Sequence, residues 1–184
     1  MKTLIVACAF LIATSGAAGA ALPPKPYLGI YADQDHTKQS VTPAVNYPFS
    51  VWFLCLPSEN GLVAIAFHVT YPSNIIVTLT VANPWMSSPT LDCPLTGEPG
   101  LCAVFGDCQL DWVWTHRLTC LAYDDLPSFI EVGPLSYESV LEAATCQPGN
   151  PTEPVTILNK FGINQNGVIA GEPQSWGAIK SLYR

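Results

Sequence analysis

Proline and glycine interrupt almost every stretch of this chain, and they limit the folds open to it. The 184 residues include 17 prolines and 13 glycines, spread along the whole length. Proline inside a helix removes a backbone hydrogen bond and glycine there costs conformational entropy, so long helices are not expected. Only 11% of the residues are charged, which is too few for a typical disordered chain. The sequence therefore predicts an all-β domain with many loops.

The first twenty residues have the layout of a secretory signal peptide. Lys2 supplies a positive start, an apolar run follows over residues 4–13, and Ala18-Gly19-Ala20 forms a small-residue cleavage site. The apolar run is shorter than the ~20 residues that a transmembrane helix needs. We expect cleavage near Ala20 or Ala21, and hence a secreted, extracellular or cell-surface protein without a membrane span.

The balance of charge argues against several classes of partner. Seven Lys and Arg stand against fourteen Asp and Glu, a net charge of −7. An acidic chain repels nucleic acid and anionic lipid. The P-loop, GxGxxG, GxSxG and HExxH patterns are also absent from the sequence. We predict no nucleic-acid binding, no cofactor and no metal.

The cysteines predict a disulfide framework. Loss of Cys8 with the signal peptide leaves an even number, which favours disulfides in an exported chain. A metal site fits less well, because no Cys-x-x-Cys spacing is present and no His lies close by in sequence. The predicted disulfide cysteines are Cys55, Cys93, Cys102, Cys108, Cys120 and Cys146. Six cysteines allow 15 pairings; one plausible set has a local bridge within 93–108 and a longer one from Cys55 to Cys120 or Cys146.

Apolar segments between turn signals predict the strands. They are 26–33, 47–56, 62–72, 74–82, 109–123, 129–133 and 155–163. Segment 47–56 is apolar on both faces, which indicates a central strand. Residues 83–108 read as a loop pinned by cysteines, and 136–145 as a helical turn capped by Ser136. Short strands with frequent turns are typical of a β-sandwich, here over 21–170, between the signal peptide (1–20) and a C-terminal tail (171–184).

Strand 109–123 carries the candidate ligand residues. Strict alternation places Trp112, Trp114 and His116 on one face. Such a strip is either part of the core or a flat surface on which a sugar ring could stack. Asp124 and Asp125 follow directly and would be the carboxylates of a hydrolase, but adjacent carboxylates at a strand end point apart rather than across a scissile bond. No catalytic residue is assigned.

The final segment, SWGAIKSLYR (175–184), is basic and apolar, unlike the acidic body. As a short helix it would align an apolar stripe with two cations near its end. The residues concerned are Trp176, Ile179, Lys180, Leu182, Tyr183 and Arg184. A helix of about nine residues does not persist alone in water. The tail therefore docks on its own domain, binds a sorting or assembly partner or a second copy, or stays loose.

Four motifs carry a family resemblance: GIYAD (29–33), SVWFLCL (50–56), GLVAIAFHVTYP (61–72) and WGAIKSLYR (176–184). With them the chain resembles a group of uncharacterised secreted bacterial β-sandwich proteins that share the C-terminal tail. Its first half is similar to cohesin-like immunoglobulin sandwiches. The resemblance implies secretion and a sandwich but no activity, since fold alone does not supply a function.

Together these features predict a disulfide-stabilised, immunoglobulin-like or cohesin-like β-sandwich with a short helical tail. The predicted function is that of a non-catalytic extracellular structural, assembly or binding protein, with a protein partner or self-assembly through the tail. The alternative is a carbohydrate-active or other hydrolase domain that uses Asp124 or Asp125 near the aromatic strip.

Overall fold

The computed structural model describes residues 25–87, 90–92, 99–136 and 138–165, and every regular element in them is a β-strand. The strands are β1 (Tyr27–Tyr31), β2 (Ser40–Val41), β3 (Pro48–Leu56), β4 (Leu62–Thr70), β5 (Ile75–Ala82), β6 (Thr90–Asp92), β7 (Pro99–Gln109), β8 (Val113–Ala122), β9 (Ser128–Gly133), β10 (Glu142–Ala144), β11 (Thr152–Pro154), β12 (Thr156–Ile157) and β13 (Phe161–Ile163). The predicted signal peptide and the tail 171–184, with its helix, lie outside the described residues. The described part of the chain contains no helix able to span a bilayer.

The strands form two sheets that pack as a sandwich. The five-stranded sheet has the order β12-β1-β3-β8-β5. The second sheet runs β11-β10-β4-β9-β13-β2, with β7 paired to β4 and β6 paired to β7. The β1–β12 and β13–β2 pairs are parallel and the other pairs are antiparallel. The predicted all-β sandwich is confirmed.

Alternating side chains of both sheets fill the space between them. Fully buried members of this core are Leu28, Ile30, Val51, Phe53, Phe67, Leu118, Ile130, Phe161 and Ile163. The rings of Phe53 on the first sheet and Phe67 on the second are 5.4 Å apart. Burying a side chain of this size contributes about 1.5–3 kcal/mol, so these residues hold the two sheets together.

One disulfide joins the end of β7 to the segment after β10, beside the turn between β3 and β4. Cys108, near the end of β7, is bonded to Cys146, which lies beyond β10. The N–H of Cys146 donates to the carbonyl of Asn60 at 2.9 Å, and the Asn60 amide donates to the Glu153 carboxylate. The bond joins residues separated by 38 positions, and closing a loop of that size stabilises a fold by about 3–4 kcal/mol.

Two of the six predicted disulfide cysteines are free. Cys55 and Cys120 are buried thiols, so their predicted pairing is wrong. In the β3–β8 ladder Cys55 lies opposite Val113, whereas Cys120 lies opposite Phe49. That register separates the two thiols by roughly 20 Å along the strands, far beyond the ~7 Å between Cα atoms that a disulfide spans. Burial raises the pKa of both thiols to about 12.

The predictions for Cys93, Cys102, the loop 83–108 and the helical turn 136–145 are compared with the structure in turn. Cys102 is disulfide-bonded, and Cys93 lies outside the described residues. The loop predicted over 83–108 is wrong at β6 (Thr90–Asp92) and over β7 (Pro99–Gln109), which pair with each other. The pairing of β7 with β4 outweighs the Pro and Gly signals. The helical turn predicted over 136–145 is also wrong, since β10 forms there by pairing with β4 and β11.

Gly61 is the glycine at which an added side chain would collide with the disulfide. It has a positive φ of 73°, and an added Cβ would lie 2.4 Å from Sγ of Cys108 and 2.5 Å from Sγ of Cys146. Gly149 also has a positive φ, 85°, but nothing lies within 4 Å of its added Cβ. The pair therefore separates backbone strain from contact with the sulfurs.

We expect Gly149→Ala to cost about 1–2 kcal/mol of unfolding free energy, from left-handed backbone strain alone. Gly61→Ala should cost a further 1–3 kcal/mol or so, because the methyl group overpacks the sulfurs. Urea denaturation of the two variants and the parent, without reductant, measures both values. Equal losses would contradict the placement of the disulfide over this turn.

Candidate binding face

A bulge in the central strand pair decides which side chains face solvent. Along the β3–β8 ladder Phe53 lies opposite His116 and Leu54 opposite Trp114, so Thr115 is an extra residue. Thr115 and His116 are both fully buried. Two consecutive inward residues reverse the alternation, as expected at a β-bulge. Trp114 therefore lies on the side of the sheet opposite His116.

The solvent side of β3, β8 and β5, called here the outer face, consists of side chains that are neighbours in register. They are Ser50, Trp52, Trp114, Arg117, Thr119, Leu121, Ile76, Leu79 and Val81. Trp52 lies opposite Arg117, which lies opposite Val81; Thr119 lies opposite Leu79 on β5. The register places this set on one continuous surface.

Trp52 is the centre of the aromatic end of the outer face. Its ring lies 5.1 Å from that of Trp114, edge to face at 84°. The guanidinium carbon of Arg117 lies 5.4 Å from the Trp52 ring centre, within range for a cation–π contact. All three side chains are half-buried. The contact holds a cation flat on an aromatic surface and leaves both partly open to solvent.

The outer face carries almost no charge. Arg117 is the only Lys, Arg, Asp or Glu in the five strands of its sheet. On the edge strand β5, Ile76 and Leu79 are each 52% exposed. Natural sheets normally protect an exposed edge with charged residues, proline or a covering segment. An uncharged, partly apolar sheet face with one stacked arginine has the composition of a protein-binding surface.

A second aromatic group closes one corner of the same sheet. The imidazole of His36 stacks on Trp112 at 4.4 Å, and Tyr31 meets both rings edge-on. The Tyr31 ring lies over Gly29, where an added Cβ would come within 2.5 Å of it. The Asp33 carboxylate accepts hydrogen bonds from its own loop, and burial together with that charge raises the pKa of Tyr31 above its usual range.

The structure separates His116 from the two tryptophans of the predicted ligand strip. Trp114 lies on the outer face, Trp112 stacks on His36 at the corner, and His116 lies in the core facing Phe67. The prediction of a common face for these three residues is therefore wrong. Its error is the assumption of unbroken alternation, since the bulge at Thr115 shifts the pattern by one residue.

The carboxylates of the hydrolase alternative lie far from the tryptophans. Asp124 accepts hydrogen bonds from the Asn74 amide at 2.7 Å and from the Leu126 N–H at 3.0 Å. It follows β8, whereas Trp112 precedes it, and the ten residues of β8 span roughly 30 Å. Asp124 holds a turn, and the predicted proximity of Asp124 and Asp125 to the strip is wrong.

The second sheet offers a less open surface. Leu135, in the segment after β9, is 1% exposed and packs on Cys102 and Ala66. Its methyl group lies where a side chain at Gly100 would project. This sheet and the loops that flank it also carry the Lys160–Glu131 ion pair, at 2.9 Å. The outer face of the five-stranded sheet is thus the better candidate for a binding surface.

Trp52 and Arg117 belong to the outer face but were not among the residues predicted for a ligand site. The sequence contains a pattern that places both side chains on the solvent side, because each residue alternates with core residues in its own strand. Cross-strand register, which joins them to β5, cannot be read from one strand at a time. The absence of other charges from β1, β3, β5, β8 and β12 was also available in the sequence.

The comparisons with known proteins identify the fold. No family model and no curated protein matches the sequence. A chain of a crystallised CaDoc0917–CaCohA2 complex is similar in structure, with a TM-score of 0.57 and 11% identity, over 76% of this chain and 98% of that one. A cohesin module from a Clostridium perfringens family 33 glycoside hydrolase has a TM-score of 0.52 and 12% identity, over 77% and 98%.

A non-cellulosomal cohesin from the archaeon Archaeoglobus fulgidus has a TM-score of 0.51 and 10% identity, over 76% of this chain and 91% of that one. Likeness at such low identity defines the fold and no more. The chain has the cohesin-like β-sandwich, which confirms the predicted fold class, and it also contains the Cys108–Cys146 disulfide.

His116 generates a prediction about pH. It is fully buried, and neither ring nitrogen has a hydrogen-bond partner among the described residues. Burial lowers the pKa of the imidazole from 6.5 to about 4. The unfolded chain therefore takes up a proton near pH 6.5 that the folded chain refuses until about pH 4, so stability is lost as the pH falls through that window.

We expect His116→Leu to remove about 2 kcal/mol of the stability loss between pH 7 and pH 5. Urea denaturation of the parent and of the variant at both pH values measures the difference. If His116→Leu lost as much unfolding free energy between pH 7 and pH 5 as the parent does, His116 would not be the group responsible.

Proposed function

We propose that this chain is an exported, non-catalytic module that binds a protein partner through the outer face of its five-stranded sheet. The observation that carries the proposal is the composition of that face, where Trp52, Trp114 and exposed Ile76 and Leu79 surround a single charge, Arg117. Aromatic residues and arginine dominate the energetics of protein interfaces, and charged residues are depleted from their centres.

The structural neighbours support a protein ligand. Two are chains of crystallised type I cohesin–dockerin complexes from Clostridium thermocellum, with TM-scores of 0.51 and 0.50. Those proteins assemble with a second protein, whereas the Archaeoglobus fulgidus cohesin is described as non-cellulosomal. We carry over only the general class of function, which is the binding of a second protein; the choice of the outer face rests on the composition of this chain. The identity of the partner is not carried over.

The absence of catalysis is part of the proposal. It rests on the cohesin-like fold and on the role of Asp124, whose carboxylate is engaged in holding the turn with Asn74. The separation of roughly 30 Å between the ends of β8 prevents Asp124 and Asp125 from acting on a sugar bound at Trp112 or Trp114.

Export and the tail complete the proposal. Residues 1–20 are proposed as a cleaved signal peptide, 21–170 as the folded domain and 171–184 as a tail, in a secreted or cell-surface protein. Disulfide bonds at Cys108, Cys146 and Cys102 are consistent with an oxidising compartment. The tail residues from Trp176 to Arg184 are proposed as a second contact, either with a partner or in self-assembly.

The test begins with the purified exported protein immobilised and exposed to the extracellular and surface fractions of its native host. A retained protein is then purified, and its affinity for the parent and for two variants is measured by biolayer interferometry. Leu79→Lys places a charge on the outer face. Leu110→Lys places the same charge on a side chain that is 72% exposed between β7 and β8.

We expect Leu79→Lys to weaken binding at least tenfold, because a charge that is buried in an interface must be desolvated. Leu110→Lys should bind like the parent. Equal affinities for the two variants would contradict the assignment to the outer face. Hydrolysis of a polysaccharide panel by the parent, abolished in Asp124→Asn or Asp125→Asn, would contradict the proposal of a non-catalytic module.

A further inference from the structure

Strand β5 lies at the edge of its sheet, and two of its side chains line a neighbouring cavity. In the described part of the chain β5 pairs only with β8. A cavity of about 280 Å³ opens between the sheets next to it. The lining comes from both sheets: Val77 and Thr80 of β5, Gly100 and Leu101 of β7, and His68, Val69 and Tyr71 of β4 and the residue after it.

An open edge with a cavity beside it is the arrangement that accepts an added strand. The backbone of the incoming strand continues the hydrogen-bond ladder, and its alternate side chains enter the pocket. Residues 72–87 contain no charged side chain, and Ile76 and Leu79 are exposed on β5. The occupant is therefore an extended segment with apolar side chains at alternate positions.

The described chain ends close to the beginning of β5. The Asn164 amide donates to the carbonyl of Asp124 at 3.4 Å, and the Asp124 carboxylate accepts from Asn74, the residue before β5, at 2.7 Å. Nineteen residues, 166–184, follow Gln165. Extended, they reach roughly 60 Å, more than twice the length of the eight-residue strand β5. A tethered segment so near also has an effective concentration of the order of mM.

The segment and the body differ in the sign of their net charge, while the one charged residue of the sheet that contains β5 is Arg117. Residues 25–165 contain four Lys and Arg and thirteen Asp and Glu, whereas residues 166–184 contain Lys180 and Arg184 against Glu172 alone. The segment is thus a net-basic piece of an acidic protein. It also supplies the apolar residues Val168, Ile169 and Ile179. We infer that, in the free protein, the segment 166–184 lies along its own β5 as an added strand, with apolar side chains in the neighbouring cavity.

This inference concerns the protein without its partner. It shares residues 176–184 with the proposed function, which assigns them a contact with a partner or a second copy. Covering is one of the ways in which sheets protect an exposed, uncharged edge from association with another sheet edge. Partner binding at the outer face can fail while the edge is covered, and the reverse can also occur. The experiment therefore uses the purified protein alone.

The test places the photo-cross-linking residue p-benzoylphenylalanine at Ile76 on β5. Leu110, which precedes β8, is the exposed control position, because Ile76 lies opposite Leu121 near the other end of β8. After irradiation at low micromolar concentration, cross-linked peptides are mapped by mass spectrometry. We expect Ile76 cross-links to residues 166–184 within one chain, at monomer mass, and none from Leu110. Cross-links at dimer mass would overturn the assignment in favour of the tail of a second copy, and absence of cross-links to 166–184 would overturn it outright.

Amide hydrogen exchange supplies the second readout. A chain that ends at Gln165 should lose at least tenfold protection at the β5 amides that do not pair with β8, while β3 amides keep theirs. Lys180→Glu with Arg184→Glu, in the full chain, should lose several-fold protection at the same amides because the attraction to the acidic body is reversed. Unchanged exchange in both variants, with native circular dichroism, would overturn the inference.

Discussion

The antiparallel ladder between β3 and β8 is the constraint on which the rest of the structure depends. It lies at the middle of the five-stranded sheet, and its one-residue bulge at Thr115 reverses the alternation of β8. On one side of the bulge Trp114 joins Trp52 on the outer face; on the other, His116 enters the core beside Phe67. The bulge thus creates both the candidate binding face and a buried histidine.

Most charged residues and the Cys108–Cys146 disulfide lie away from the outer face. The five strands of the first sheet carry one charge, while acidic residues and the Lys160–Glu131 pair belong to the second sheet and to loops. The Cys108–Cys146 bond lies at one end of the sandwich, where it restrains the turn at Gly61 without touching the outer face. Stability is therefore supplied away from the candidate binding face, an arrangement that suits a rigid binding module.

The sequence predicted the class of fold because proline, glycine and β-branched runs act locally. It could not predict the bulge, because an extra residue in β8 is visible only against β3. The same limit explains Cys55 and Cys120. The even number of cysteines after the signal peptide predicted disulfides, but the register of β3 and β8 keeps these two thiols apart. For the candidate site, Trp114 was identified and Trp52 was missed, since the partner of a surface residue lies across the sheet. β7 was missed because long-range pairing with β4 outweighed local turn signals.

Nuclear Overhauser contacts between assigned side chains test the bulged register most directly. The account predicts contacts from the Trp114 ring to the Trp52 ring, whose centres are 5.1 Å apart, and from the His116 ring to the Phe67 ring, whose centres are 6.4 Å apart. Contacts from Trp114 to Phe67, with none to Trp52, would show unbroken alternation along β8. That result would remove the outer face as described and contradict the central claim.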